Sequence, residues 1–239
     1  MKAALAHARW ELGLTLRNGE QLLLTLIIPP ALLIGICLTT DLPNNDGLTR
    51  IESAFPIVCM VSLIATCFTS LAIGTGFERR SGALTFLATT PLRRQGLVTG
   101  KVLATVALAS ISLAIVSVVA LLFGWRPEAA AWWALPTILI AGIAFASWAL
   151  VIASVFRAEA VLAIANALFL VLIVVGGASA RLSSMTGGAV FDLIPSAALA
   201  NALRSCLGVG IAPCWSALVV LAVWAVLGFV LARSRFRWQ

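Results

Sequence analysis

The chain has 239 residues, of which 62% are hydrophobic and only 10% are charged, and its mean hydropathy is +1.08. A water-soluble domain averages about half apolar and about a quarter charged residues, so this composition excludes a soluble globule and predicts an all-α integral membrane protein. The formal net charge of +7 therefore indicates an asymmetry between the two sides of a membrane and not a nucleic-acid-binding surface.

The first segment, residues 1–20, predicts an amphipathic helix. Four apolar side chains share one face of this helix: Leu5, Ala8, Leu12 and Leu16. The charged residues lie elsewhere around it, as is typical of a helix that lies along a membrane surface. We expect it at the cytoplasmic interface; an ordinary frayed terminus is the alternative.

Six apolar runs follow, and each is long enough to cross a bilayer as a helix. They cover residues 21–40, 53–77, 98–123, 132–156, 160–180 and 214–232. Each run is continuously apolar, without the alternation of a membrane strand, which favours helices over a barrel. The sequence therefore predicts a single membrane domain over 1–239 with six spans.

The basic residues set the orientation. Of the 16 Lys and Arg residues, twelve fall on the side of the two termini and four on the other. Because cytoplasmic segments carry the excess of Lys and Arg, we expect both termini and the loop 78–97 in the cytoplasm of a bacterial, multi-pass plasma-membrane protein. Tryptophans predict the outer interfacial belt: Trp125, Trp132, Trp133 and Trp215. Trp148 and Trp224 lie mid-helix and are predicted to be packing residues.

The segment 181–211 fits no simple span, because glycines and Pro195 interrupt it. The stretch PSAALANALRSCL within it predicts a short helix, with Asp192 just before its N-terminus. We expect a re-entrant or outer-surface element before the last span; an extracellular loop without a special role is the alternative. Cys206 and Cys214 both fall on the predicted outer side, so the sequence allows a disulfide there as well as two free thiols.

A glycine pair near residue 100 resembles a nucleotide-binding loop but does not match one. A P-loop needs G-x-x-x-x-G-K-[ST], whereas here three residues separate Gly96 from Gly100-Lys101, and Val102 replaces the hydroxyl. The two glycines are better placed for close helix packing. Lys101 lies at the cytoplasmic entry of its span, where its long side chain can snorkel towards the surface.

The loop between the second and third spans carries a defined block. Residues 78–92 predict a short cytoplasmic helix that Thr90-Pro91 ends. Its exposed apolar face would fit a groove on another protein. Anchoring of the basic residues to anionic lipids is the alternative.

The motif in this block carries a family resemblance. It is Glu78-Arg79-Arg80-x-Gly82-x-Leu84-x-x-Leu87-x-x-Thr90-Pro91-Leu92-x-Arg94, followed by Gly100-Lys101-x-Leu103-Ala104. It resembles the cytoplasmic signature of type-2 ABC export permeases, and within them the daunorubicin-resistance type of drug permease. Ala83 stands where that family often has Thr.

The resemblance implies a coupling helix that docks onto a separate ATP-binding subunit. Six residues would form that contact: Glu78, Arg79, Arg80, Leu84, Leu87 and Arg94. It also implies two ATP-binding subunits that hold ATP and Mg²⁺, and a second permease chain as homodimer or heterodimer within membrane lipid. This chain itself would have no catalytic, cofactor or metal site and would not be an enzyme.

The predicted function is the membrane permease of an ATP-driven exporter that moves a hydrophobic drug or lipid-like substrate outward. A polysaccharide or glycolipid exporter of the same architecture is the alternative, and the sequence identifies no substrate-binding residue. An ion-coupled transporter would need Asp, Glu or His deep in the spans, where Asn166 is the most polar residue. An intramembrane enzyme would need catalytic side chains there, and the single histidine is His7.

Overall fold

The computed structural model describes residues 2–38, 48–83, 94–183 and 188–235, and these form helices and turns with no strand among them. Five of the described helices are long and apolar enough to cross a membrane: Arg50–Arg80, Gln95–Leu122, Ala129–Val155, Ala158–Ser179 and Trp215–Ser234. They coincide with the last five predicted spans. The apolar helix Leu23–Leu38 is shorter, so the predicted first span, 21–40, is not confirmed and stays a prediction.

The described helices are numbered in chain order, and α2 and α3 each contain a π-helical segment in the middle. The bounds are α1 Lys2–Thr15; α2 Gly19–Leu22, Leu23–Ile27 and Ile28–Leu38; α3 Arg50–Ile64, Ala65–Ser70 and Leu71–Arg80; α4 Arg94–Leu122; α5 Ala134–Val155; α6 Ala158–Ser183; α7 Pro195–Leu203; and α8 Trp215–Arg235. A 3-10 helix, Ala129–Trp133, leads into α5, another, Gly188–Leu193, precedes α7, and the π segment Arg204–Val209 follows α7.

The end of α3 is fixed by a glycine. The Ser81 amide still donates to the Phe77 carbonyl at 2.9 Å, but Gly82 has φ of 78°, in the left-handed region that ends helices. Glu78, Arg79 and Arg80 therefore form the last turn of α3. The helix predicted over 78–92 is thus interrupted at Gly82, and its remainder, 84–92, lies outside the described residues.

The helix ends gather on two sides of the bundle. On the side of α1, which we call the α1 end, α3 and α5 end while α4 and α6 begin, as shown by bonds from Arg79 to α5 and from Arg80 to α6. On the opposite side, which we call the far end, the Arg50 guanidinium at the start of α3 donates to the Cys37 carbonyl of α2 at 3.1 Å. The helices α3 to α6 therefore run in alternating directions, as successive membrane crossings require.

Tryptophan packing confirms one prediction and corrects another. Trp148 and Trp224 meet edge to face with ring centroids 5.3 Å apart, which confirms them as packing residues. Trp125 was expected in the outer belt, but it is only 8% exposed. Its indole donates to the Leu207 carbonyl at 2.8 Å and its ring lies 4.7 Å from that of Phe55. The belt prediction was wrong for Trp125 because the chain after α7 supplies a buried acceptor.

The segment before the last span folds into the bundle. Helix α7 contacts α3, α5, α6 and α8, and buries Ala197, Ala198 and Leu199. The indole of Trp224, near the middle of α8, donates to the Leu193 carbonyl at 2.9 Å, so the chain before α7 runs beside α8. The short helix is confirmed, whereas a re-entrant position in a membrane stays a prediction. Cys206 is buried, Cys214 is exposed and both thiols are free, so the disulfide alternative was wrong.

Helix α1 packs along the first turns of α4, with a different face from the one predicted. Ala8 is buried as expected, but its buried neighbour is His7, while Leu5 is 58% exposed. A Cβ at Gly100 would lie 2.6 Å from His7 Cδ2. The packing of α1 against α4 therefore depends on the absence of a side chain at Gly100 and not on the leucines of α1.

Replacing Gly100 should separate α1 from α4. We expect Gly100→Ala to destabilise the chain by about 1–3 kcal/mol through overpacking against His7, even though alanine favours a helix. Gly74→Ala is the matched control, because among the described residues no atom outside the backbone of its own helix lies within 4 Å of a Cβ there. The better helix propensity of alanine should add up to about 1 kcal/mol. Thermal unfolding in detergent gives both values; equal shifts for the two variants would contradict the packing.

Candidate functional site

The last turn of α3 carries three consecutive charged residues, Glu78, Arg79 and Arg80. Successive helical residues are about 100° apart around the axis, so these side chains point in three directions. Each meets a different neighbour: Glu78 reaches α4, Arg79 reaches the end of α5, and Arg80 reaches the start of α6. The turn thereby joins the helix ends that surround it.

A buried lysine receives the first of these residues. The Lys101 side chain of α4 is 2% exposed, and its Nζ lies 2.7 Å from Glu78 Oε2. The same ammonium also pairs with the Glu11 carboxylate of α1. One positive charge thus holds two carboxylates from two other helices. Removing the ammonium would leave the largely buried Glu11 carboxylate without this counter-charge, which is costly.

Glu11 has a second partner in its own helix. His7 Nε2 lies 2.9 Å from Glu11 Oε2, one helical turn away. Burial raises the pKa of the Glu11 carboxyl, but the His7 contact and the Lys101 ammonium outweigh burial and hold that pKa below its ordinary value. The carboxylate form, and with it the ion pair, is therefore favoured at neutral pH.

Arg79 closes the end of α5. Its guanidinium donates to the carbonyls of Ala153 at 3.0 Å, Ser154 at 2.7 Å and Phe156 at 2.8 Å. The last carbonyls of a helix have no partner within the helix and carry its negative dipole end, so a cation there is favourable. Arg79 therefore ties the end of α3 to the junction between α5 and α6.

Arg80 makes the most exposed of the three contacts. It pairs with Glu159 in the first turn of α6, and the two side chains are 61% and 64% exposed. An ion pair this open to solvent contributes little stability. Its charge remains accessible from outside the chain.

The six residues predicted to contact an ATP-binding subunit are placed unequally. Glu78, Arg79 and Arg80 meet at the α1 end, each with a partner inside the chain, and Arg94 is the first residue of α4. Leu84 and Leu87 lie outside the described residues. The contact itself stays a prediction for all six, since an internal partner does not exclude an external one.

Sequence reasoning missed the centre of this cluster. Lys101 could have snorkelled to the surface, but it is buried between Glu11 and Glu78, because two carboxylates satisfy the ammonium where it lies. The signal was present in the sequence, since a charge that interrupts an apolar helix needs a partner. His7 and Glu11, one turn apart in α1, were the candidates to supply it. Among the described residues, no group of His, Cys, Asp and Glu is placed to hold a metal ion.

A second feature is an apolar cavity of about 600 Å³ in the half of the bundle towards the far end. It lies between α4 and α5 beneath the connection that carries Trp125 and Trp132. The residues that line it are mostly apolar and include Phe55, Cys59, Leu113, Ala114, Leu135, Ile138 and Leu139. A cavity of this size and character suits a drug-sized apolar ligand.

Removing the Lys101 charge should destabilise the α1 end. We expect Lys101→Met to cost about 3–5 kcal/mol, because the largely buried Glu11 carboxylate and the partly exposed Glu78 carboxylate both lose their counter-charge. Arg80→Ala, which breaks an exposed pair, should cost no more than about 1 kcal/mol. Thermal unfolding in detergent measures both. A Lys101→Met variant as stable as the Arg80→Ala control would show that the buried pairs contribute nothing.

The comparison with protein families accounts for most of the chain. The family model described as ABC-2 family transporter protein matches residues 24–233. This range includes four of the five membrane-length helices in full, the fifth up to its last residue but one, and the Glu78–Lys101 pair. The comparison with curated proteins found no significant match. The matched helices, with the charged turn that joins their ends, are the membrane component of an ABC exporter. The chain belongs to the ABC-2 family of transporter proteins.

Proposed function

We propose that this chain is the permease subunit of an exporter driven by a separate ATP-binding subunit. The observation that carries the proposal is the junction at the α1 end, where Glu78, Arg79 and Arg80 link α3 to α4, α5 and α6. The chain beyond Arg80 is the segment that resembles a coupling helix. A force applied to that segment would therefore reach four helices through contacts that are polar and directional.

We divide the contact residues into two groups. Glu78 and Arg79 hold the base of the coupling segment, because both are engaged inside the chain. Leu84, Leu87 and Arg94, together with the exposed Arg80, present the surface to the partner. Two ATP-binding subunits would each bind ATP with Mg²⁺, and two permease chains would complete the transporter.

We further propose that the α1 end faces the bacterial cytoplasm. The excess of basic residues on that side supports this orientation. Helix α2 would supply a sixth crossing, since its apolar part, Leu23–Leu38, continues from four further helical residues at its N-terminal end. Both termini would then lie in the cytoplasm, with α1 along the membrane surface and α7 as a re-entrant helix.

The substrate that the chain fits best is hydrophobic. The support is the cavity between α4 and α5, whose lining is mostly apolar and whose rim includes the exposed residues Leu135 and Leu139. Both belong to the same membrane-length helix, α5, so a lipid-soluble drug or a lipid-like molecule could enter from the bilayer. A glycan would find few hydrogen-bonding groups in this cavity.

The coupling role is tested on the two leucines of the segment. Burial of one leucine in a groove is worth about 1.5–3 kcal/mol, and each 1.4 kcal/mol changes affinity about tenfold. We therefore expect the double variant Leu84→Ala, Leu87→Ala to bind the ATP-binding subunit at least about a hundredfold more weakly. Co-purification of that subunit and transport-coupled ATP hydrolysis provide the readouts.

Two controls accompany this test. The double variant Leu5→Ala, Leu16→Ala removes two exposed leucines at the same end, one in α1 and one just after it, and should leave co-purification unchanged. The permease purified alone should not hydrolyse ATP. If co-purification and coupled hydrolysis persist in the Leu84 and Leu87 variant, the loop is a basic lipid anchor; if the lone permease hydrolyses ATP, the proposed division of labour is wrong.

The cavity is tested by filling it. Ala114→Phe places a ring in the cavity, and displacing 1.4 kcal/mol of ligand contact would lower affinity about tenfold. Val118→Phe is the matched control, since Val118 is 56% exposed on the same helix and does not line the cavity. Binding of an uncharged lipophilic dye, followed by fluorescence, should weaken only in the first variant. Equal affinities in both variants would remove the cavity as a ligand site.

A further inference from the structure

A small polar cavity lies beside the Glu11–Lys101–Glu78 cluster. It has a volume of about 90 Å³ and is bordered by α1, α2, α3 and α4. Besides the three charged residues, six uncharged polar side chains line it: Thr15, Gln21, Thr66, Ser70, Thr75 and Thr105. Polar side chains between membrane-length helices are costly and tend to mark functional positions.

One of these side chains is buried without a partner. Thr75 is 1% exposed, and its hydroxyl forms no hydrogen bond with the described part of the chain. Leaving a buried hydroxyl unpaired is unfavourable. Because Thr75 lines the cavity, an occupant of the cavity is the partner that would satisfy it.

The cavity offers acceptor oxygens from three helices. The Gln21 side-chain nitrogen of α2 donates to the Ser70 hydroxyl of α3 at 3.2 Å, which leaves the Gln21 side-chain oxygen as an acceptor. The Thr15 hydroxyl of α1 donates to the Glu11 carbonyl at 3.1 Å, so its oxygen keeps its lone pairs. Thr66 and Ser70 belong to the π-helical segment of α3, and such segments are frequent at functional sites. Carboxylate, hydroxyl and amide oxygens are the ligands that hard cations prefer.

The charges beside the cavity do not balance. Glu11 and Glu78 each carry one negative charge and Lys101 one positive charge, so the cluster, with His7 neutral, has one negative charge in excess. The excess is costly because the Glu11 and Lys101 side chains are only 15% and 2% exposed, and buried charges are paired or bind metal ions. Water would satisfy the Thr75 hydroxyl but would not supply the missing positive charge.

The single excess charge selects a monovalent cation. Zinc and calcium sites are built from several carboxylate, imidazole or thiolate ligands, and the described residues hold no such group. The cavity volume equals that of about three water molecules in the liquid, which leaves room for an alkali cation with one or two waters and not for a bulky organic cation. The Glu78 side chain is 37% exposed, so an ion can enter beside it from the α1 end.

We propose that this cavity binds one alkali cation, coordinated by oxygens of Gln21, Thr66 and Thr75 and balanced by the excess negative charge of Glu11 and Glu78. The ion is a resident part of the permease and is not its transported substrate. It joins α1 and α2 to α3 and α4. The site departs from the sequence-based expectation that the chain has no metal site, and it goes beyond the proposed function without depending on it.

Sodium binding to the permease alone tests the site. The full chain is purified in detergent without sodium, and its thermal unfolding is compared in sodium chloride and in choline chloride at equal ionic strength. Choline has the same charge, but its three methyl groups make it too large for the cavity. A ligand that binds only the folded state stabilises it with the logarithm of its concentration. The unfolding midpoint should therefore rise by about 3–6 °C for each tenfold increase in sodium above the dissociation constant, and choline should give no such rise.

Thr75→Val tests the coordinating hydroxyl. Valine keeps the shape and removes the oxygen, so sodium should bind about tenfold more weakly. In choline chloride the variant should unfold no earlier than the unchanged chain, because the lost hydroxyl has no partner among the described residues. Thr137→Val is the matched control, since Thr137 is also buried but its hydroxyl donates to the Trp133 carbonyl at 2.7 Å, outside the cavity. The control should keep the full sodium response.

Direct binding provides a second readout. Radioactive sodium captured by the immobilised permease should be displaced by unlabelled sodium and not by choline. Thr66→Val removes a different oxygen from the same cavity and should weaken this binding as Thr75→Val does. A folding defect in one variant therefore does not decide the result.

Three outcomes would overturn the inference. Equal unfolding midpoints in sodium and choline would show that the cavity holds water alone. Radioactive sodium that unlabelled sodium cannot displace would show that there is no specific site. A Thr75→Val variant with the full sodium response would place the ion elsewhere. Each outcome leaves the permease role untouched, because co-purification of the ATP-binding subunit is measured separately.

Discussion

One buried positive charge organises the α1 end of this protein. Lys101 lies in an apolar helix at 1% exposure, where an unpaired ammonium would be too costly to retain. It must therefore hold carboxylates, and the two it holds come from α1 and α3. The position of α1 follows from this requirement: Glu11 has to reach Lys101, His7 then lies against Gly100, and only glycine at 100 allows that approach. Charge, and not apolar burial alone, places the first helix.

The charged last turn of α3 is likewise held by polar contacts, which reach α4, α5 and α6. Because the three side chains diverge, the turn is fixed from three sides by contacts of different strength. The Glu78 pair is buried on the lysine side, Arg79 is anchored by three carbonyls, and the Arg80 pair is open to water. These contacts hold the last turn of α3 on three sides, just before the helix ends at Gly82. Under the proposed function, movement of an ATP-binding subunit would be passed to the membrane-length helices through this turn.

The sequence predicted the parts of the fold that depend on local composition. Long apolar runs gave the last five membrane-length helices within a few residues, and the proline and glycine pattern gave the short helix α7.

Prediction from the sequence failed where a residue's position depends on a distant partner. The leucines of α1 have the right period for an apolar face, but the partner face on α4 is shaped by Gly100 and Lys101. Trp125 looked interfacial until the Leu207 carbonyl, 82 residues away, buried its indole. Periodicity tells which residues share a face and not which surface that face meets. The same limit applies to the site, where the motif singled out Glu78 and Arg79 but could not reveal their partners.

The capping of α5 by Arg79 gives this arginine a structural role that is independent of any partner subunit. A lysine at this position would keep the charge, but its single ammonium does not reproduce the fork of donors that reaches three carbonyls. Selection on the helix junction alone would therefore keep arginine here. An invariant arginine at this column of a future alignment would report on the internal architecture of the permease and would not, by itself, count as a record of docking. Residues that change together with the partner subunit are instead expected among neighbours of Arg79 whose side chains do not cap a helix of this chain.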